Sequence, residues 1–124
     1  MTGKKMKIKP YYTYRAQVVS VYDGDTCTVD IDLGLGVWAR GEKIRLYRIN
    51  APELRGDQRE AGLISRNRLR ELIGGKFITV ETIKDKKGKY GRYLGEIWLE
   101  TEKGAVSNIN DLLVSEGLAE YKAY

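Results

Sequence analysis

Alternation of apolar and polar positions dominates the first half of the chain. Over 15–22, Ala16, Val18, Val19 and Val21 make a β-branched run with partial alternation. After Asp23-Gly24 the pattern resumes, with Thr26, Thr28, Asp30 and Asp32 alternating with Cys27, Val29, Ile31 and Leu33. A period of two predicts a half-buried strand, and Asp-Gly between two such runs is a hairpin signal. Gly34-Leu35-Gly36 predicts a second turn, 37–40 a short strand, and Gly41-Glu42 a third turn. Residues 43–49 predict another strand, with Ile44, Leu46 and Arg48 on one side and Arg45, Tyr47 and Ile49 on the other. Pro52 then bars helix at Ala51 and opens a polar loop.

Beyond that loop the period becomes helical. Asp57 as N-cap, with Glu60 three residues on, is a capping-box pattern and predicts a helix over 57–73. Ala61, Ile64, Leu69, Leu72 and Ile73 form its apolar stripe, Gly74-Gly75 ends it, and Arg59, Arg66, Arg68 and Arg70 lie elsewhere on its surface. Strands over 77–82 and 93–99 flank a lysine- and glycine-rich loop over 84–90. A shorter helix over 108–116 follows, capped by Ser107 or Asn108, buried through Ile109, Leu112 and Leu113, and stopped by Gly117. The strands are too closely spaced for helical crossovers. The order therefore predicts a mainly β fold with helices (α+β), a five-stranded OB-fold barrel with two packed helices. Residues 1–13 read as a basic, flexible N-terminal tail and 14–124 as the domain.

Composition narrows the chemistry. The 124 residues suit one domain. The net charge is +5, but without the four lysines of the first nine residues the 22 basic residues fall to 18, against 17 acidic. The tail is either a solvated terminus or an arm with weak, salt-sensitive attraction to phosphates. There is no histidine and a single cysteine, Cys27. A disulfide, a thiolate zinc cluster and any Ser-His or Cys-His mechanism are thereby excluded. Acid–base work falls to carboxylates, lysines or tyrosines. The start lacks an apolar signal region, and no run approaches the ~20 apolar residues of a membrane span. The expected location is cytoplasmic, or outside the cell if a signal has been removed.

Three polar motifs carry candidate chemistry. Asp23-Gly24-Asp25-Thr26 is either a turn that needs Asp and Gly for backbone reasons, or a device aiming Asp25 into a cleft as a hard-cation ligand. Arg45 sits in an otherwise apolar strand, where a charge needs a partner or a ligand. Glu53 follows a rigid Pro52, and Arg92 opens a strand after Tyr90-Gly91, either as an ordinary surface arginine or as a phosphate clamp. A carboxylate for a water proton, guanidiniums for a phosphate and acidic groups for a cation make up what phosphodiester hydrolysis requires.

In this order and spacing, the three motifs and the late Gly117-Leu118-Ala119 make the chain similar to the staphylococcal nuclease (thermonuclease) family over about 16–121. The resemblance implies an OB-type barrel and calcium-dependent cleavage of DNA and RNA with little sequence specificity, leaving 3′-phosphate ends. It places Arg45, Glu53 and Arg92 at catalytic positions, and Asp25, Asn50 and Ala51 at metal positions. Asn50 replaces the family's usual Asp, and Ala51 replaces a Thr that acts through its backbone carbonyl. Losing one ligand charge implies looser calcium binding or a different divalent ion. Lys89 and Tyr90, beside Arg92, are expected to contact substrate, Tyr90 by stacking on a base. Tyr121 is expected near the base as well. The expected partners are DNA and RNA, preferably single-stranded, with no membrane and no second copy of the chain. The competing expectation is an OB-fold module that holds single strands without cutting them, Asn50 then marking a lapsed catalyst.

Overall fold

The computed structural model describes residues 12–122, with the side chains of 84–86 outside the description. The predicted basic tail, apart from Tyr12 and Thr13, lies outside the described residues. Along the chain run β1 (Thr13–Asp23), β2 (Thr26–Asp32), β3 (Trp38–Leu46) and β4 (Ile49–Asn50). A 3-10 turn (Gly56–Gln58) leads into α1 (Arg59–Ile73), β5 (Phe77–Lys87) and β6 (Arg92–Glu100). The remainder is β7 (Val106–Asn108), α2 (Ile109–Ser115) and β8 (Glu120–Tyr121).

Five strands close the barrel. They pair antiparallel in the order β3-β2-β1-β5-β6, and β6 returns beside β3 in parallel. This is the predicted OB architecture. Val18, Val29, Ile44, Leu46, Val80 and Ile97 fill the interior, with Leu69 and Ile73 from α1 and Ile109 and Leu113 from α2 joining the same core. The helix α1 packs on β1 and α2 on β6. Two short pairings escape the sequence pattern: β7 adds to β6, and β8 pairs with β4.

Several local expectations are corrected. The alternation in β1 is partial because Val19 and Tyr22 are unpaired residues in two bulges against β2. Bulges raise twist and re-aim side chains, which suits a strand bending around a barrel. Gly41-Glu42 is not a turn. It lies inside β3, where Glu42 pairs with Val29 and Arg40-Gly41 bulge opposite Asp30, whose carboxylate accepts Gly41 N–H at 2.9 Å and Arg40 Nη1 at 3.0 Å. The predicted 43–49 strand stops at Leu46. Arg48 adopts φ 71°, and its guanidinium binds Glu96 at 2.5 Å and Asp111 at 3.0 Å. The face assignment therefore reverses there, and Ile49 is buried while Arg48 turns away from the core. The lysine-rich loop is shorter than expected because β5 extends to Lys87, whose ammonium meets Glu42 at 3.2 Å.

The first helix differs most. Asp57 does not cap it; Asp57 lies in the 3-10 turn, and Gln58 occupies the cap position with no side-chain cap bond. The Gln58 amide oxygen instead accepts Glu53 N–H at 3.0 Å. The buried face of α1 is Gly62, Ser65, Leu69 and Ile73, whereas Ala61 and Ile64 are exposed. Backbone proximity explains the shift. A Cβ on Gly62 would lie 2.3 Å from the Glu53 carbonyl oxygen. A Cβ on Gly24 would lie 2.7 Å from the Cβ atoms of both Ala51 and Ser65. The Asp-Gly signal thus marks close approach to α1, and Gly24 has no positive φ. At the other helix the expectation holds: the Asn108 side chain caps α2 by accepting Asp111 N–H at 2.8 Å. Beside it, the buried Asn110 amide accepts from Ile97 N–H and donates to the carbonyls of Tyr47 and Gly95, in place of the half-buried Leu112 of the predicted stripe.

Gly62→Ala separates packing from helix propensity. Propensity alone favours Ala by about 1 kcal/mol. Overpacking against immovable backbone costs about 1–3 kcal/mol. The expected outcome is a lower urea midpoint with an unchanged slope; a higher midpoint would show that the Glu53 loop is not pressed against this helix.

Candidate nucleic-acid cleft

The loop following β3 carries most of the site, and Arg45 fixes it. Arg45 lies on the outward side of β3, between the buried Ile44 and Leu46, yet its side chain is only 12% exposed. Nη1 donates to the carbonyls of Leu46 at 2.8 Å and Ile49 at 3.0 Å. Nη2 donates to Asn50 Oδ1 at 2.9 Å and lies 3.4 Å from Asp25 Oδ2. The partner that its position demanded is therefore the loop itself together with Asp25.

Asp25 is buried between this loop and the turn after β1. Its Oδ2 accepts Ala51 N–H at 2.8 Å, and its Oδ1 accepts the Thr26 hydroxyl at 3.2 Å. Its backbone carbonyl accepts Leu46 N–H at 2.8 Å, which anchors the motif to β3. Asp23 stands beside it, with Asp23 Oδ1 accepting Asp25 N–H at 3.1 Å. Burial first, and the Asp25 charge second, push the Asp23 carboxyl up to about 6. The Cys27 thiol, fully buried below, is pushed up to about 12 by burial and then by Asp23, and is inert.

Asp25, Arg45, Asn50, Ala51, Glu53 and Arg92 line one open cleft of about 400 Å³. Glu53 projects from the loop with its side chain 65% exposed, 3.5 Å from Arg55. Arg92 enters from the start of β6, with its guanidinium 5.3 Å from the Tyr90 ring centroid. All six predicted catalytic and metal positions therefore meet. The predicted substrate contacts divide. Tyr90 lines a larger groove continuous with this cleft. Lys89 is exposed in the adjoining turn, with its ammonium over the Tyr90 ring. Tyr121 lies elsewhere: its hydroxyl donates to Asp111 at 2.8 Å and its ring faces Arg48.

The sequence motif alone gives Asp23 no role beyond the turn, although its position two residues before Asp25 is a usable signal. The donors facing the cleft on this side are oxygens: the carboxylates of Asp23 and Asp25 and the amide of Asn50. Oxygens of this kind suit a hard divalent cation. Among the described residues no three His, Cys, Asp or Glu side chains form a metal cluster. Amide and carbonyl oxygens, with water, would complete the set, so the donors fit calcium in kind and are poor in charge.

A sequence model described as staphylococcal nuclease homologue matches residues 43–124. Protein ParB of Escherichia coli is 31% identical over 111 residues, covering 85% of this chain and 55% of that relative. The thermonuclease of Staphylococcus hyicus is 31% identical over 119 residues, covering 90% and 60%. The micrococcal nuclease of Shigella flexneri is 27% identical over 124 residues, covering 96% and 65%. The chain thus spans between about half and two thirds of the length of these relatives. With well over half of its residues inside the matched family model and with a closed five-stranded barrel to carry them, the chain belongs to the staphylococcal nuclease homologue family.

Proposed function

We propose that the protein hydrolyses phosphodiester bonds of DNA and RNA, with little sequence specificity and with calcium as cofactor, leaving 3′-phosphate ends. The convergence of Asp25, Arg45, Glu53 and Arg92 on one cleft carries this reading. Arg92 donates forked hydrogen bonds to the oxygens of a scissile phosphate, a geometry lysine does not reproduce, and Arg45, whose Nη1 and Nη2 are engaged by the loop and Asp25, sets a fixed positive charge beside it. Arg45 is already held by two carbonyls and an amide oxygen, so its charge is positioned before substrate arrives. Donors fixed in advance stabilise the charge that builds on phosphate oxygens as water attacks. Glu53 accepts the proton of the attacking water; its exposure and its anchored backbone, with N–H bound by Gln58, suit that role. Asp25, Asn50 and the Ala51 carbonyl would hold the cation. When bound, it supplies Lewis-acid stabilisation of phosphate charge. Among the described residues no element offers a recognition helix for base edges, in keeping with low sequence specificity.

Glu53→Gln and Arg92→Ala test the catalytic assignment, because both side chains lie at the surface of the cleft and neither supports the core. Arg45→Ala is a poorer probe, since it strips the loop of its internal partner. Each of the first two variants is expected to lower calcium-dependent degradation of single-stranded DNA by about 10²–10³, with unchanged melting temperature. Parental rates in both would refute the catalytic assignment. DNA that is retarded on a gel but left intact by the parent protein would favour the binding module.

Asn50→Asp tests the cation site. Restoring a ligand charge should tighten calcium, and a ligand bound only to the folded state raises melting temperature with concentration. The expected result is a calcium midpoint in thermal melts shifted to lower concentration. An unshifted midpoint would remove Asn50 from the site.

A further inference from the structure

A groove of about 970 Å³ runs beside the cleft and shares Tyr22, Asp23, Glu53, Leu54, Arg55 and Arg92 with it. Its far wall is built by α1 and the sheet. Arg66 and Arg70, one helical turn apart, line it from α1, and Lys43 lines it from β3. Arg70 Nη2 donates to the Val21 carbonyl at 3.2 Å, which ties this wall to β1. Among the described residues, Lys43, Arg66, Arg70 and Arg92 have no carboxylate within 4.0 Å. Two tyrosines, each 69% exposed, also line the groove: Tyr90 from the β5–β6 turn and Tyr22 from β1. Tyr22 is the unpaired residue of a bulge, a device that turns a side chain out of the sheet.

Cations without a carboxylate partner along a channel, with aromatic faces at its edge, match the chemistry of an unpaired nucleic-acid strand, with phosphates at the cations and bases on the rings. We propose that this groove is an extended subsite for single-stranded nucleic acid, in which Tyr22 stacks a base and Lys43, Arg66 and Arg70 hold phosphates of the strand leaving the scissile position toward α1. The proposal builds on the function proposed above, because the cleft supplies one end of the path, but it concerns binding and not cleavage. The subsite makes a longer strand bind more tightly than a dinucleotide. It also assigns a role to the α1 arginines, which the sequence pattern leaves as surface charge.

The test uses a fluorescein-labelled single-stranded DNA of about eight nucleotides, within the range an OB barrel accommodates, and a labelled dinucleotide. Binding is read by anisotropy in chelator across a salt series, with cleavage by the parent protein in calcium measured separately. Arg66→Ala and Tyr22→Ala should each weaken the longer strand about tenfold, while Tyr22→Phe binds as the parent does. Arg66→Ala should also flatten the log–log salt dependence by about 0.7, the loss of one phosphate contact on a single strand. These side chains project from the surface, and melting curves confirm folding. Parental affinity and salt slope in Arg66→Ala and parental affinity in Tyr22→Ala overturn the subsite, whether or not the parent cleaves. Weakened binding in the variants of a parent that does not cleave supports the subsite and overturns the hydrolytic reading instead.

Discussion

The guanidinium of Arg45 is the point at which fold and candidate site depend on the same contacts. It gathers the Leu46 and Ile49 carbonyls, the Asn50 amide and the Asp25 carboxylate around one planar cation. A charge so sheltered would be costly without partners. Here its partners are the loop that bears Asn50, Ala51 and Glu53, and the motif that bears Asp25. The loop therefore does not wander, although it contains little regular structure. Asp25 contributes from the other side by binding Ala51 N–H, so the residues proposed for the cation and those proposed for the phosphate hold one another in place.

A second constraint is the absence of bulk where three segments meet. The turn after β1, the loop after Pro52 and α1 approach so closely that Gly24, Gly62 and Ser65 form the contact. Larger residues would push the Glu53 loop away from the helix. The same approach sets α1 at the side of the cleft, with Arg66 and Arg70 turned toward the neighbouring groove. Helix packing and the electrostatics of the groove thus share one geometric cause.

The barrel was legible because alternation in β2 and the strand–helix order are strong signals, and Val29, Ile31, Ile44, Leu46, Val80 and Ile97 are core residues as the pattern implies. The motif residues stand out in the sequence because Arg45 breaks an apolar strand and Glu53 follows Pro52, and the fold brings them to one cleft. What escaped was non-periodic. The bulges at Val19, Tyr22 and Gly41 add residues without changing composition. The face of α1 is set by close backbone contact, which favours Gly62 and Ser65 over the more apolar Ala61 and Ile64. Asp57 looks like a cap, but the preceding 3-10 turn already opens the helix. Tyr121 has a different fate because β8 pairs with β4, and Asp111 and Arg48 then engage its side chain. No local pattern encodes that long-range pairing.

In the proposed reaction one phosphate lies between Arg45 and Arg92 beside Glu53. A crystal structure of the Glu53→Gln protein with calcium and a short single-stranded oligonucleotide tests it directly. The expected result is one phosphate bound by Arg92 with the Arg45 guanidinium beside it, and the cation near Asp25 and Asn50. A strand bound on another face of the barrel, or phosphates that reach Arg92 but never Arg45, would contradict it.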